Sequence, residues 1–116
     1  MVKPSEPSPR YQPLSADELR SALARLKGWS GDERGLEKTL TFSGFRGAMA
    51  FMQACVEGIE ARDHHPVWTN KYNSIQIHLD TFDIGHKVTQ HDVDVAEFME
   101  ALLDARGAEF GYKPEA

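Results

Sequence analysis

The amino-acid sequence predicts an α+β domain: a four-stranded antiparallel sheet with three helices on one face, in the order α-β-β-α-β-β-α. Three observations carry this expectation. Apolar residues recur at helical spacing in three segments, they alternate with polar residues in two separate pairs of segments, and a helical segment separates the two pairs. Ser15-Ala-Asp-Glu18 reads as a capping box ahead of Leu19, Ala22, Leu23 and Leu26, and Gly28 stops this first helix. The stretch WSGDE supplies a short strand. Leu36, Lys38, Leu40 and Phe42, alternating with Glu37, Thr39 and Thr41, make its partner, which Ser43-Gly44 ends. From about residue 44 to 62, Phe45, Ala48, Met49, Met52, Val56 and Ile59 form the stripe of a long amphipathic helix, with Cys55 at the stripe's edge as a packing residue. Pro66 disfavours helix at His65, so the helix ends at or just before the histidine pair. VWTNKY and IQIHLDTF are the second strand pair, joined at Asn73-Ser74. Ile75, Ile77 and Leu79 face the helices, and Gln76, His78, Asp80 and Phe82 face away. Thr89, with Asp92 three residues on, caps a last helix whose stripe of Val95, Phe98, Met99 and Leu102 runs to Gly107.

Composition sets the outer bounds. A chain of 116 residues with 41% hydrophobic content fits one domain with a modest core, which gains from self-association. Residues 1–13 are rich in Pro, Ser and charge and read as a flexible arm, residues 14–107 as the domain, and residues 108–116 as a tail. A net charge of -5 without a basic block argues against nucleic acid as a partner and leaves proteins or small molecules. Cys55 alone permits no disulfide framework and no thiolate zinc site, which suits a reducing cytoplasm. No apolar run is long enough for a membrane span, and the opening MVKPSEPSPR lacks the apolar region of a signal peptide.

All five histidines, His64, His65, His78, His86 and His91, fall within 64–91. Three readings of them stay open on spacing alone. A metal site would require His64, His78 and a carboxylate such as Asp80 to converge from separate elements, because adjacent histidines in extended chain point in opposite directions. General acid or base work suits imidazole, which titrates near neutral pH, and a helix-to-strand junction is a rigid mount for it. The plainest reading is that His64 and His65 end a helix and bond to backbone carbonyls, with His86 and His91 solvated. Phe82 stands out as an aromatic ring closing a polar row.

Glu60, three residues, His64-His65-Pro66, the aromatic Tyr72 and the later Asp92, together with LSADEL, Gly28-Trp29 and HHPVWTNKYN, resemble the pterin-4a-carbinolamine dehydratase family from Leu14 to about Arg106. The resemblance implies dehydration of a 4a-hydroxytetrahydropterin to the quinonoid dihydropterin, with no metal or cofactor, the tetrahydropterin being substrate. It makes His64 the general acid and places His65, Glu60, Pro66 and Tyr72 on the substrate. The family's third histidine falls on Phe82, which cannot donate a proton, and His78 and His86 are the candidate substitutes. The family also includes members that stabilise transcription-factor dimers and a dehydratase-like branch linked to rubisco assembly. Phe82 and GHKVT look like that branch. By resemblance, a rubisco assembly factor or chaperone with weak or absent lyase activity, partnered by rubisco subunits in the cytoplasm or at a carboxysome, ranks ahead of an active dehydratase. Homodimers or tetramers are expected on the same ground.

Overall fold

In the computed structural model, residues 11–114 are described; the first ten residues of the expected arm and the last two of the expected tail lie outside them. Helix α1 (Ala16–Arg25) opens on the expected capping box: the Ser15 hydroxyl accepts from the Glu18 N–H, and the Glu18 carboxylate accepts from the Ser15 N–H at 2.8 Å. The Ser15 backbone N–H, and then its hydroxyl, hold the Glu18 carboxyl below the usual carboxylate range. This cap therefore contributes above the ordinary carboxylate pKa and is lost as pH falls. Gly28 follows at φ +82°, and the chain enters β1 (Ser30–Asp32) and β2 (Gly35–Thr41). Next come α2 (Phe45–Arg62), β3 (Val67–Lys71), β4 (Ser74–Leu79), a single 3-10 turn (Phe82–Ile84) and α3 (Gln90–Phe110).

The sheet is antiparallel throughout, in the order β1-β2-β4-β3, so β2 and β4 are central and β3 is an edge. Its covered face carries Leu36, Leu40, Ile75, Ile77 and Leu79, all buried against Phe51 and Ile59 of α2, Val93 and Met99 of α3, and Ala22 and Leu26 at α1. Each fully buried Leu or Ile contributes about 1.5–3 kcal/mol by leaving water. The other face is open: Ser30, Glu37, Thr39, Thr69, Gln76 and His78 line a shallow polar groove of about 400 Å³. The expected class and element order are therefore observed, with the helices forming one layer. Lys38 lies in the buried row of β2 because its ammonium is met: Nζ donates to Glu100 of α3 at 2.7 Å and to the Lys27 carbonyl at 3.1 Å. The Trp29 indole donates to the same Glu100 oxygen at 2.9 Å.

Several details depart from expectation. On α2, the residues turned to the core are Ala48, Phe51, Cys55 and Ile59; Phe45 and Val56 are exposed, and Met49 and Met52 are half-buried. The helix carries more apolar residues than one stripe holds, and the sheet selects the set centred on Phe51 and Cys55. Cys55 is thus in the middle of the interface, not at its edge. Burial pushes its thiol up to about 12, so a maleimide at pH 8 is expected to leave the folded protein unlabelled and to label it after denaturation, as read by mass spectrometry. Labelling of the native protein at a free-thiol rate would contradict this placement.

The β3–β4 turn is Tyr72-Asn73, one residue earlier than expected, with Tyr72 at φ +50° and Lys71 paired to Ser74. Helix α3 continues three residues past Gly107 and ends at Gly111, φ +71°. The segment expected as a tail therefore begins inside α3, where Phe110 packs edge-on against Phe51, and Tyr112 bridges back to Phe42.

Candidate active site

The antiparallel pairing of β3 with β4 fixes which segments meet. Val67 lies opposite His78, so the chain after β4 passes beside the His64-His65-Pro66 segment that leads into β3. The first turn of α3 completes this end of the sheet. Helix α2 stops because Asp63 adopts the left-handed conformation, φ +48°, and Pro66 keeps the intervening residues extended. His64 and His65 then point apart, as alternation requires: the His64 side chain is 11% exposed and that of His65 is 58% exposed.

Both histidines bond to carboxylates, not to the backbone carbonyls of the plainest reading. His64 Nε2 is 2.5 Å from Asp92 Oδ1. Asp92 is fully buried, and its other oxygen accepts from the Thr81 hydroxyl at 2.9 Å and from the Thr89 N–H at 2.8 Å. Asp92 is therefore both the carboxylate that closes the α3 capping box and the anchor of His64. A carboxylate only accepts, so His64 Nε2 carries hydrogen and Nδ1 is the nitrogen left for a ligand. His65 Nε2 pairs with Glu60 Oε2 at 2.5 Å, both side chains being more than half exposed. Water screens that pair and limits its worth to about 0–1 kcal/mol.

A second cluster lies beyond Thr81. The ladder ends at Leu79, but burial keeps alternating, so the buried Thr81 side chain turns to Asp92 while Asp80 and Phe82 turn the other way. His78 Nε2 lies 2.8 Å from Asp80 Oδ2, and His86 Nδ1 lies 3.1 Å from the same oxygen. The His78 ring occupies space beside Gly35, where a Cβ would fall 2.2 Å from its Cε1. His86, at φ +62°, meets the Phe82 ring edge-on at 5.1 Å between centroids. Phe82 is 73% exposed, so residues 83–88 do not cover it.

The structure brings His64, Asp92, Thr81 and Thr89 together, with His65, Glu60 and Pro66 alongside. His78 and His86 gather on Asp80 instead. His64, His78 and Asp80 do not converge, and among the described residues no group of three or more His, Cys, Asp or Glu side chains is arranged to hold a metal ion. Tyr72 stands at the far end of β3 from Pro66, 66% exposed, and does not join His64 within this chain. Thr81, Thr89 and His91 were not legible as site residues. His91, expected in solvent, is half-buried with its ring 5.7 Å from that of His64. No helix among the described residues is long and apolar enough to cross a membrane.

Comparison with known proteins agrees with this layout. Residues 12–102 match the family described as Pterin 4 alpha carbinolamine dehydratase. Two relatives share the name "Putative pterin-4-alpha-carbinolamine dehydratase". One, from Opitutus terrae, is 40% identical over 89 residues, covering 77% of this chain and 92% of the relative. The other, from a Bradyrhizobium species, is 42% identical over 91 residues, covering 77% and 91%. A crystal structure from Brucella melitensis, described as a transcriptional coactivator/pterin dehydratase, superposes with a TM-score of 0.74 at 31% identity, covering 78% of this chain and 98% of that one.

Proposed function

The chain belongs to the pterin-4a-carbinolamine dehydratase family, and we propose that it dehydrates a 4a-hydroxytetrahydropterin to the quinonoid dihydropterin. The observation that carries this reading is the His64–Asp92 pair, an imidazole fixed through Nε2 to a buried carboxylate with Nδ1 left for the substrate. In the reaction the C4a–O bond breaks, its electron pair leaves with the hydroxyl, and His64 supplies the proton that turns the hydroxyl into water. N5 loses its proton as the C4a=N5 double bond forms. The atoms balance without oxidant or reductant, so the tetrahydropterin enters as substrate. His65, with Glu60 behind it, holds the ring from the exposed side.

A second reading rests on Phe82. An aromatic ring 73% exposed beside the site suits protein contact. A role as a rubisco assembly factor, at a carboxysome or in the cytoplasm, belongs to this reading, as does binding to rubisco subunits. Self-association is supported by Phe45 and Val56 exposed on α2, by Val67 exposed on β3, and by the outer edge of β3, which no strand among the described residues pairs.

The test is a rapid-mixing assay on both 4a-hydroxy epimers. Wild type is expected to accelerate at least one, and Phe82→His to accelerate the other by about 100-fold. Wild type that turns over neither epimer above the uncatalysed rate sinks the dehydratase reading and moves the contact role forward.

A further inference from the structure

The five histidines differ in what holds their rings. His64 is held by Asp92, His65 by Glu60, and His78 and His86 by Asp80. The His91 ring makes no hydrogen bond among the described residues, and its ring contact is with His64, tilted at 41°. Its position is nevertheless firm. The His91 N–H donates to the Thr89 hydroxyl at 3.2 Å in the first turn of α3, and the next residue is the buried Asp92. A second imidazole with both nitrogens free therefore sits on a rigid element beside the one whose outer nitrogen is offered to substrate.

We propose that His91 is the base of this site. The inference rests on the dehydratase reading above. The reaction needs an acid at the leaving hydroxyl and a base at N5, and one imidazole cannot be in both protonation states at once. His64, protonated, gives its Nδ1 proton to the hydroxyl as C4a–O breaks. His91, neutral, takes the N5 proton as C4a=N5 forms. Water and the quinonoid product leave, His91 carries the extra proton, and its transfer to the neighbouring His64 ring restores the starting state. His78 and His86 are less suited to this task, because both are committed to Asp80 on the other side of Thr81.

Two variants test this in the full chain, His91→Ala and the bulkier His91→Gln, each first checked for an unchanged melting temperature. On the epimer that wild type turns over, kcat is expected to fall by about 100-fold in both, with KM little changed. Added imidazole is expected to restore His91→Ala, where it can enter the vacated space, and not His91→Gln. Unchanged kcat in both variants overturns the proposal, and so does a loss that imidazole leaves unrestored in His91→Ala, since that marks a structural role. If wild type itself turns over neither epimer, the dehydratase reading fails first and this proposal falls with it. That outcome is recognisable because His64 variants then change nothing either.

Discussion

Replacing Asp92 by alanine is expected to cost about 3–5 kcal/mol of stability and all measurable turnover. Three donors converge on this carboxylate from three elements: His64 Nε2 after α2, the Thr81 hydroxyl after β4, and the Thr89 N–H at the start of α3. With the acceptor gone, the Thr81 hydroxyl can still turn to the Thr89 hydroxyl 2.8 Å away. The Thr89 N–H and the His64 ring have no substitute, and each buried group left unpaired costs about 1–3 kcal/mol. Loss of the capping box adds to this. The melting temperature of the alanine variant should fall by roughly 10–20 °C. Asp92→Asn separates the effects. The amide keeps the shape, and its one oxygen can still accept from Thr81 and Thr89, but its NH2 then faces His64 Nε2 and pushes the ring to the tautomer with hydrogen on Nδ1. Its stability should lie between wild type and alanine, while His64 loses the acceptor that fixes its tautomer. An alanine variant as stable as wild type in a thermal melt would mean that Asp92 does not hold these elements together.

His64→Gln is expected to lower kcat by about 100-fold to 10,000-fold on the epimer that wild type accepts, with the fold retained. Glutamine can still donate an amide hydrogen to Asp92, so the buried carboxylate stays paired and the melting temperature should move by only a few degrees. What it cannot do is carry a transferable proton near neutral pH. Comparing the two variants therefore separates support from chemistry: Asp92 variants lose both, His64→Gln loses turnover alone. A His64→Gln protein with wild-type kcat would remove His64 from the role of acid and leave the pocket as a binding site.

Much of the fold was legible because its signals are local. Ser15 with Glu18 and Thr89 with Asp92 mark two helix starts by spacing alone, and the period-2 row Leu36, Lys38, Leu40 survives into the structure with its lysine buried. What escaped the sequence depends on distant partners. Helix α2 offers two overlapping apolar faces, and only the sheet decides that Phe51 and Cys55 point inward. Gly107 resembled a helix end, yet it sits inside α3 beside the Tyr112 ring, where a small residue is suited to the contact. For the site, the histidine pair and its proline were legible, and so was Asp92 through resemblance. That Asp92 touches His64 across 28 positions was not. His91 was missed because first-turn helix residues are normally solvated, and nothing local announces a neighbour ring arriving from α2.

The capping box of α3 is not free to change. A helix start is usually where a protein can be edited cheaply, since a frayed first turn costs little. Here the carboxylate that starts the helix is also the one that orients His64. A lineage that abandoned the chemistry could exchange His64 for another donor to the buried carboxylate at small expense and still be bound to keep Asp92 in order to fold. Along such a path the aspartate outlives the reaction, and the histidines are the residues whose loss dates its end.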